Sequence, residues 1–596
     1  MCGFFGVVGR GFADAQAAEQ ALRSRGPDGV GRFSSENCQL VHTRLAIQDL
    51  SPLGHQPMHS GDGALVLVFN GEIYNAPQLR QRLEQLGCRF RSSSDTEVIL
   101  QGYERWGDQI WSWLDGIYAC ALWHQGLQQL TLVRDRFGIK PLYVCDRPEG
   151  LVFASELSAL RAAGVASIPN REALAGYAVW GACVAPQTAL LGVHALSPGV
   201  IVHWRQGSGL QPLSPMPPAL APASRQPVCG VEEAVEGVVM RLKAAVVAQA
   251  IGDVPVGCFL SGGIDSGVLA ALLQDCSSGP ITTLTLGFQG VPGADDETER
   301  AAATAKALGT DHQLIQLAVD DFDALFDEFL DAIDSPSVDG FNTFLVARAA
   351  NQIGLKVAFS GLGADEVFGG YAQFAQWQAA SGNPRSPVIG GRLPVQLLRR
   401  FRAEPRAYAR RGLDAALDLR QLPFHGVDRY ERLQLRQQRL AQVPSGSSPF
   451  AALAWLELNG YLRDTLLRDT DAVSMHHGLE VRVPYLDQEL VRFCLGLPGA
   501  MHLIDGGKTL LRRAFGSRLP DTVLNHPKTG FNLPLGPWLL KQPRFDPQRV
   551  ASLLKTWGIP RRSVFSSWGY LRWQPQRWQP YWRWVVLAEW LQSCCG

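Results

Sequence analysis

Residues 254–276 read VPVGCFLSGGIDSGVLAALLQDC. The apolar run Val254–Leu260 has the pattern of a buried strand, Ser261–Gly267 is a glycine-serine turn, and the segment beyond it has the apolar spacing of a helix. Further strand candidates ITTLTLGF (281–288) and LKVAFSG (355–361) alternate with helical patterns EEAVEGVVMRLKAAVVAQ (232–249), ETERAAATAKALG (297–309) and NTFLVARAANQIG (342–354). Strands alternating with helices predict a parallel sheet covered on both faces, a doubly wound, Rossmann-like arrangement. After a Pro/Gly-rich interruption, GNPRSPVIGGRLP (382–394), the pattern becomes mainly helical.

Upstream the pattern differs. GALVLVFN (63–70), YACALWH (118–124), QLTLVRD (129–135) and GLVFAS (150–155) are short apolar runs between turn residues, which predict a strand-rich domain with a few helices. From Gly207 to Val228 the chain carries Pro212, Pro215, Pro217, Pro218, Pro222 and Pro227, and such a stretch sustains neither a helix nor a central strand. The expected division is therefore a first domain at 1–205, a linker at 206–230 and a second domain at 231–596. A chain of 596 residues is too long for a single core.

Lys+Arg and Asp+Glu both number 55, so no electrostatic footprint points to nucleic acid or an anionic membrane. No apolar run approaches the roughly 18 residues of a spanning helix, and MCGFFGVVGRGF lacks the flank and length of a signal peptide. A soluble cytoplasmic protein acting on small molecules is expected. The 12 cysteines are scattered without a CxxC pair, which argues against zinc and a disulfide framework. The end of the chain, Trp557 to Trp590, is rich in Trp and Arg, a pattern whose default reading is core or interface packing.

Cys2 follows the initiator Met, so removal of Met1 would place a thiol and a free α-amine on one residue. The amine, titrating near pH 7.7 to 8.0 in model compounds, suits the role of general base. FNGEIYN (69–75) sets the Asn70 side-chain amide beside the Gly71 N–H, the two donors an oxyanion hole requires. Glu72 and Asp95 could grip an α-ammonium group, and Arg44 an α-carboxylate. Singly, each of these could be a surface ion pair or an ordinary turn.

In order, CGFFGVVG, RGPDG (25–29), HTRLAI (42–47), FNGEIYN, SSDTE (93–97), DGIYACALW (115–123), RDRFGIKPLY (134–143) and FASE (153–156) resemble the class-II glutamine amidotransferase domain of asparagine synthetases and related enzymes. The resemblance implies an N-terminal-nucleophile αββα sandwich. It also implies Cys2 as nucleophile, Asn70 and Gly71 at the oxyanion, and Arg44, Leu45, Ile47, Asn70, Gly71, Glu72 and Asp95 at glutamine. Ser24 stands where the family often has His.

In the second domain, Ser261, Gly262, Gly263, Asp265 and Ser266 lie between strand and helix, where backbone N–H groups and hydroxyls can cradle phosphate. The Walker spacing and its Lys-Ser/Thr ending are absent. A second strand end carries SGLGADEVFGGY (360–371), so Asp265 and Asp365 would be neighbouring carboxylates fit to hold Mg²⁺. SGGIDS resembles the pyrophosphate loop of ATP pyrophosphatases. LLRDTDAVSMHHGLEVRVPYLD (466–487), GGKTLLRRAF (506–515) and PKTGFNLPLGPWL (527–539) resemble the helical half of the asparagine synthetase domain. That likeness implies that Lys508 neutralises charge on the phosphates and that Leu260, Leu286, Ser360 and Gly361 line ATP.

The asparagine synthetase family carries Glu where this chain has Leu362, and leucine can neither take a proton from ammonia nor orient it. β-Lactam synthetases also lack that Glu but usually lose the N-terminal Cys. The expected activity is therefore glutamine-dependent asparagine synthesis through β-aspartyl-AMP, with glutamine, aspartate and ATP as substrates and Mg²⁺ as cofactor. A different carboxylate acceptor is the alternative, followed by a bare glutaminase and, from another class, a non-catalytic glutamine sensor. The sequence leaves the oligomeric state open, with a homodimer one candidate.

Overall fold

The computed structural model describes residues 2–10, 13–213, 216, 230–289, 295–318, 321–374, 437–445, 447–504, 506–526 and 533–595. Most of the 206–230 linker, the interruption at 382–394 and residues 527–532 lie outside them.

The first domain contains strands β1 (Gly3–Gly9), β2 (Gly29–Ser35), β3 (Cys38–Arg44), β4 (Met58–His59), β5 (Leu65–Ile73), β6 (Gly116–His124), β7 (Gln129–Arg134), β8 (Tyr143–Arg147), β9 (Gly150–Ala154), β10 (His194–Ala195), β11 (Ile201–Arg205) and β12 (Gly209–Pro212). They pair antiparallel into two six-stranded sheets, β10-β8-β9-β1-β3-β2 and β12-β11-β7-β6-β5-β4. Phe4, Val8 and Leu40 of one sheet meet Val66, Val68, Trp123 and Leu132 of the other between the layers. Helices cover both outer faces, completing the αββα sandwich.

β5 shows why its sequence reads as an unbroken apolar run. Successive side chains point to opposite faces, so Leu65, Leu67 and Phe69 pack under the helices Ala76–Gln85 and Asp95–Trp106 while Val66 and Val68 face the other sheet. β12 falls inside the stretch read as linker. It is an edge strand, where the N–H missing from Pro212 costs no ladder bond.

The second domain carries a five-stranded parallel sheet in the order β15-β14-β13-β16-β17. Its strands are β13 (Val256–Phe259), β14 (Thr282–Phe288), β15 (Asp311–Leu317), β16 (Val357–Phe359) and β17 (Glu480–Arg482). β17 corrects the expectation that residues 466–487 belong wholly to the helical half, since Glu480-Val481-Arg482 pairs with Val357–Phe359. The strand order reverses at β13, and in open α/β sheets the ligand crevice opens beyond the strand ends at such a point.

The two domains share one apolar cluster, which runs from Phe5, Val41 and Tyr177 to Leu260, Phe359 and Trp582. The Trp-rich end forms the helices Arg561–Trp573 and Gln579–Cys595. Trp582 packs against Phe326 and Phe341 at centroid distances of 5.4 and 5.9 Å, while Trp573 stays exposed. The last helix is also tied to the first-domain helix Arg171–Trp180. Tyr177 Oη donates to the Arg583 carbonyl at 2.8 Å, and Arg583 Nη1 donates to the Ala178 carbonyl.

Candidate active sites

Cys2 lies just ahead of β1, and its backbone N–H donates to Asn70 Oδ1 of β5 at 3.1 Å. That bond uses the acceptor end of the Asn70 amide. The donor end, Nδ2, is buried and has no hydrogen-bond partner among the described residues. A buried amide donor without an acceptor is costly, and this one lies beside the thiol-bearing residue, where an oxyanion would accept from it. Gly71 has φ +155°, and a Cβ there would stand 2.1 Å from the Ile117 carbonyl oxygen, so only glycine brings this backbone against β6. Burial raises the Cys2 thiol pKa, opposed by the Leu45 N–H and Arg44.

Arg44 is 6% exposed, with Nη1 on the Ser51 carbonyl at 3.0 Å and Nη2 on that of Asp49. Glu72 accepts from Gln48 Nε2. Asp95 opens its helix and accepts from the Ile73 N–H at 2.9 Å. Burial pushes the Asp95 carboxyl up to about 6, opposed by the Ile73 and Thr96 N–H groups and helped by Glu480. Burial also drives Glu72 well above the carboxylate range, with Glu480 and Asp95 adding to it and Arg482 pulling it down. Leu45 and Ile47 are buried, and the Ile47 carbonyl accepts from Asp253 of the second domain at 2.8 Å. The first-domain candidates thus gather around Cys2.

The second group forms where β13 and β16 end. Ser261 to Gly263 follow β13 and lead into the helix Ile264–Cys276. Ser266 Oγ ties the turn together, accepting from the Ser261 N–H at 3.1 Å and donating to the Gly263 carbonyl at 3.2 Å. Gly262 has φ +65°, and a Cβ would meet the Glu297 carbonyl oxygen at 2.8 Å. Ser360 and Gly361 follow β16, and a Cβ on Gly361 would lie 3.1 Å from Asp265 Cβ, so the two loops touch. Leu260 and Leu286 are buried at the ends of β13 and β14.

Lys508 Nζ lies 2.5 Å from Asp265 Oδ2 and 2.6 Å from Asp365 Oδ1. Two carboxylates that share one cation also face a common point. Hard oxygen donors of this kind suit Mg²⁺, with phosphate oxygens and water completing the shell, so the residues present fit that ion. Asp265 and Asp365 would hold it, and it would neutralise phosphate charge. Leu362 is half-buried against the core in the loop after β16.

The sequence reading assigned no role to Arg25, Asp471, Glu480 or Arg482. Arg25 Nε donates to the Cys2 carbonyl at 3.2 Å, and its Nη1 meets Glu156 at 2.7 Å and Asp471 at 2.8 Å. Arg482 reaches Glu72 from β17. Arg25 stands inside the quoted RGPDG segment, so that signal was present. Asp471, Glu480 and Arg482 likewise stand inside the quoted 466–487 segment, but nothing in a linear sequence marks which residues pair across the domain boundary.

A buried thiol beside an amide donor in one domain, and a phosphate-type turn with paired carboxylates in the other, define a glutamine-dependent amidotransferase of the ligase class. Residues 238–592 match the family described as asparagine synthase, and residues 1–212 match the glutamine amidotransferase domain, so the chain belongs to the asparagine synthase family. A Mycobacterium tuberculosis (strain ATCC 25618 / H37Rv) protein provisionally named a glutamine-hydrolysing asparagine synthetase is 32% identical over 588 residues, 90% of this chain and 88% of that one. Glutamine-hydrolysing asparagine synthetase 1 of Bacillus subtilis is 29% identical, with coverage of 90% and 88%. Amidase chry2 of Gibberella zeae is 27% identical, covering 87% and 84%.

Proposed function

We propose that the chain makes asparagine from aspartate, with glutamine as nitrogen donor and ATP as activator. The carrying observation is the convergence of Asp265, Asp365 and Lys508 on one point, in a chain that also sets Cys2 against Asn70.

After removal of Met1, the Cys2 amine takes the thiol proton and the sulfur attacks the glutamine side-chain amide. Asn70 Nδ2 and the Gly71 N–H stabilise the oxyanion of the tetrahedral intermediate. Ammonia leaves, and water converts the thioester to glutamate. Arg44 holds the substrate α-carboxylate, Glu72 and Asp95 its α-ammonium, and Leu45 and Ile47 flank it.

At the second site ATP lies against Leu260, Ser261, Gly262, Gly263, Asp265, Ser266, Leu286, Ser360 and Gly361. The aspartate β-carboxylate attacks the α-phosphate, and pyrophosphate departs in line. Lys508 faces the charge that develops on the phosphates. Ammonia then attacks the acyl-AMP carbonyl, giving the amide and AMP. An internal passage between the sites would keep ammonia unprotonated and away from water.

A second reading has one observation behind it. Leu362 offers no charge at the position where the resembling synthetases carry Glu, and a fungal relative is named an amidase. On that reading the acceptor is another carboxylate.

The test is pyrophosphate release with ATP, Mg²⁺ and glutamine, with and without aspartate, and mass spectrometry of the products. Aspartate-dependent pyrophosphate together with asparagine supports the first reading. Glutamate release without either product directs the search to other acids.

A further inference from the structure

We propose that Arg482 is a positioning residue of the glutamine site, contributed by the synthetase domain, and that it holds Glu72 where Glu72 meets the substrate α-ammonium. This rests on the glutamine-hydrolysing role proposed above and goes beyond it by making the glutamine pocket a joint product of both domains.

The geometry carries the argument. The Arg482 side chain is fully buried. Its Nη1 donates to the carbonyls of Gln249 and Ile251, and its Nε to Glu480. These contacts fix the guanidinium plane from three sides. The remaining nitrogen, Nη2, makes no hydrogen bond among the described residues and lies 3.6 Å from Glu72 Oε1. Gln48 occupies the other Glu72 oxygen. A buried guanidinium edge without an acceptor is expensive, so this one is aimed at the carboxylate that faces the glutamine pocket.

Charge balance points the same way. Glu72, Asp95 and Glu480 are buried together. Arg482 is also faced by Tyr74, and Glu480 by Lys140. Three buried carboxylates do not all stay ionised without cations. Arg482 supplies one and the substrate ammonium another, so without Arg482 the Glu72 carboxyl, already raised by burial, holds its proton more tightly and attracts that ammonium less. Arg482 is also bound to the other site, because its carbonyl accepts from the Ser360 N–H at 2.9 Å.

The experiment compares full-length Arg482→Gln and Arg482→Lys with the unaltered chain, following glutamate release against glutamine concentration from pH 6 to 9. A cooperative thermal transition marks folded protein. Arg482→Gln is expected to raise the glutamine KM at least tenfold at pH 7 with kcat changed less than threefold, and the KM should recover as alkali ionises Glu72. The lysine of Arg482→Lys keeps the charge but cannot span both the carbonyls and Glu72, so its KM rises severalfold with a smaller alkaline recovery. Should Arg482→Gln not fold, Arg482→Lys alone decides. An unchanged KM, or a loss of kcat with no recovery at high pH, overturns the proposal. Absence of glutamate release from the unaltered chain would instead overturn the glutaminase reading itself.

Discussion

Arg25 of the first domain forms an ion pair with Asp471 of the second at 2.8 Å, and the same guanidinium holds the Cys2 carbonyl through Nε. Lys140 meets the other Asp471 oxygen at 2.8 Å. The backbone of the proposed nucleophile is therefore fixed by a residue one of whose two counter-ions, Asp471, lies across the domain boundary.

Asp471→Asn leaves two buried cations facing a neutral amide. Removing one partner of a buried pair costs about 3–5 kcal/mol, and denaturant unfolding should show a loss of this size. Burial pushes Asp471 up, but Arg25 and Lys140 outweigh it and hold the carboxyl below its usual range. A depressed folded-state pKa gives stability that is present above the unfolded value and lost as pH falls through the folded one. The gap between variant and unaltered chain should therefore narrow below about pH 4.

Cys2→Ala should abolish glutamate release, a fall of at least about 10³-fold for loss of a nucleophile, while pyrophosphate release with ammonium salts persists. A chain that retains Met1 should behave alike, because the general base is then an amide. Mass spectrometry of the N-terminus together with a glutaminase assay checks both.

Asn70→Ala removes the donor beside Cys2 and should lower kcat for glutamine hydrolysis by about 10²–10³-fold, the usual loss for one oxyanion donor. Rapid-quench measurement of thioester formation should place the loss in the acylation step.

Asp95, held up to about 6 chiefly by burial, must be ionised to pair with an α-ammonium. Glutamine kcat/KM should therefore fall as pH drops through about 6, since that ratio reports groups of the free enzyme. Asp95→Asn should lower the neutral-pH plateau and remove this acid limb. An identical limb in the variant would assign it elsewhere.

Lys508→Met removes the cation shared by Asp265 and Asp365. Pyrophosphate release should be lost with either nitrogen source while glutamine hydrolysis continues. Isotope exchange between pyrophosphate and ATP should disappear with it.

The fold was readable wherever the pattern is local. Leu65 to Phe69 alternate between two covered faces, and Val254 to Cys276 spell strand, turn and helix, so a strand-rich first domain and a parallel-sheet second domain could be read from the pattern, while the αββα layering came from the family resemblance. The candidate site residues around Cys2 and around Asp265 were likewise named from short motifs. Glu480-Val481-Arg482 was not readable as a strand, because three residues with two charges carry no apolar period and the pairing partner, Val357–Phe359, is remote in sequence. For the same reason the roles of Asp471 and Arg482 emerged only in three dimensions. Their meaning lies in partners on the other domain.

The Tyr177 and Arg583 contacts carry a consequence for synthesis. A ribosome makes the helix Arg171–Trp180 some 400 residues before the helix Gln579–Cys595. N-terminal domains generally fold first, so the first domain emerges with Tyr177 and Ala178 uncovered until that later helix leaves the exit tunnel. Premature termination would strand that apolar face, and such fragments should be the ones that chaperones retain.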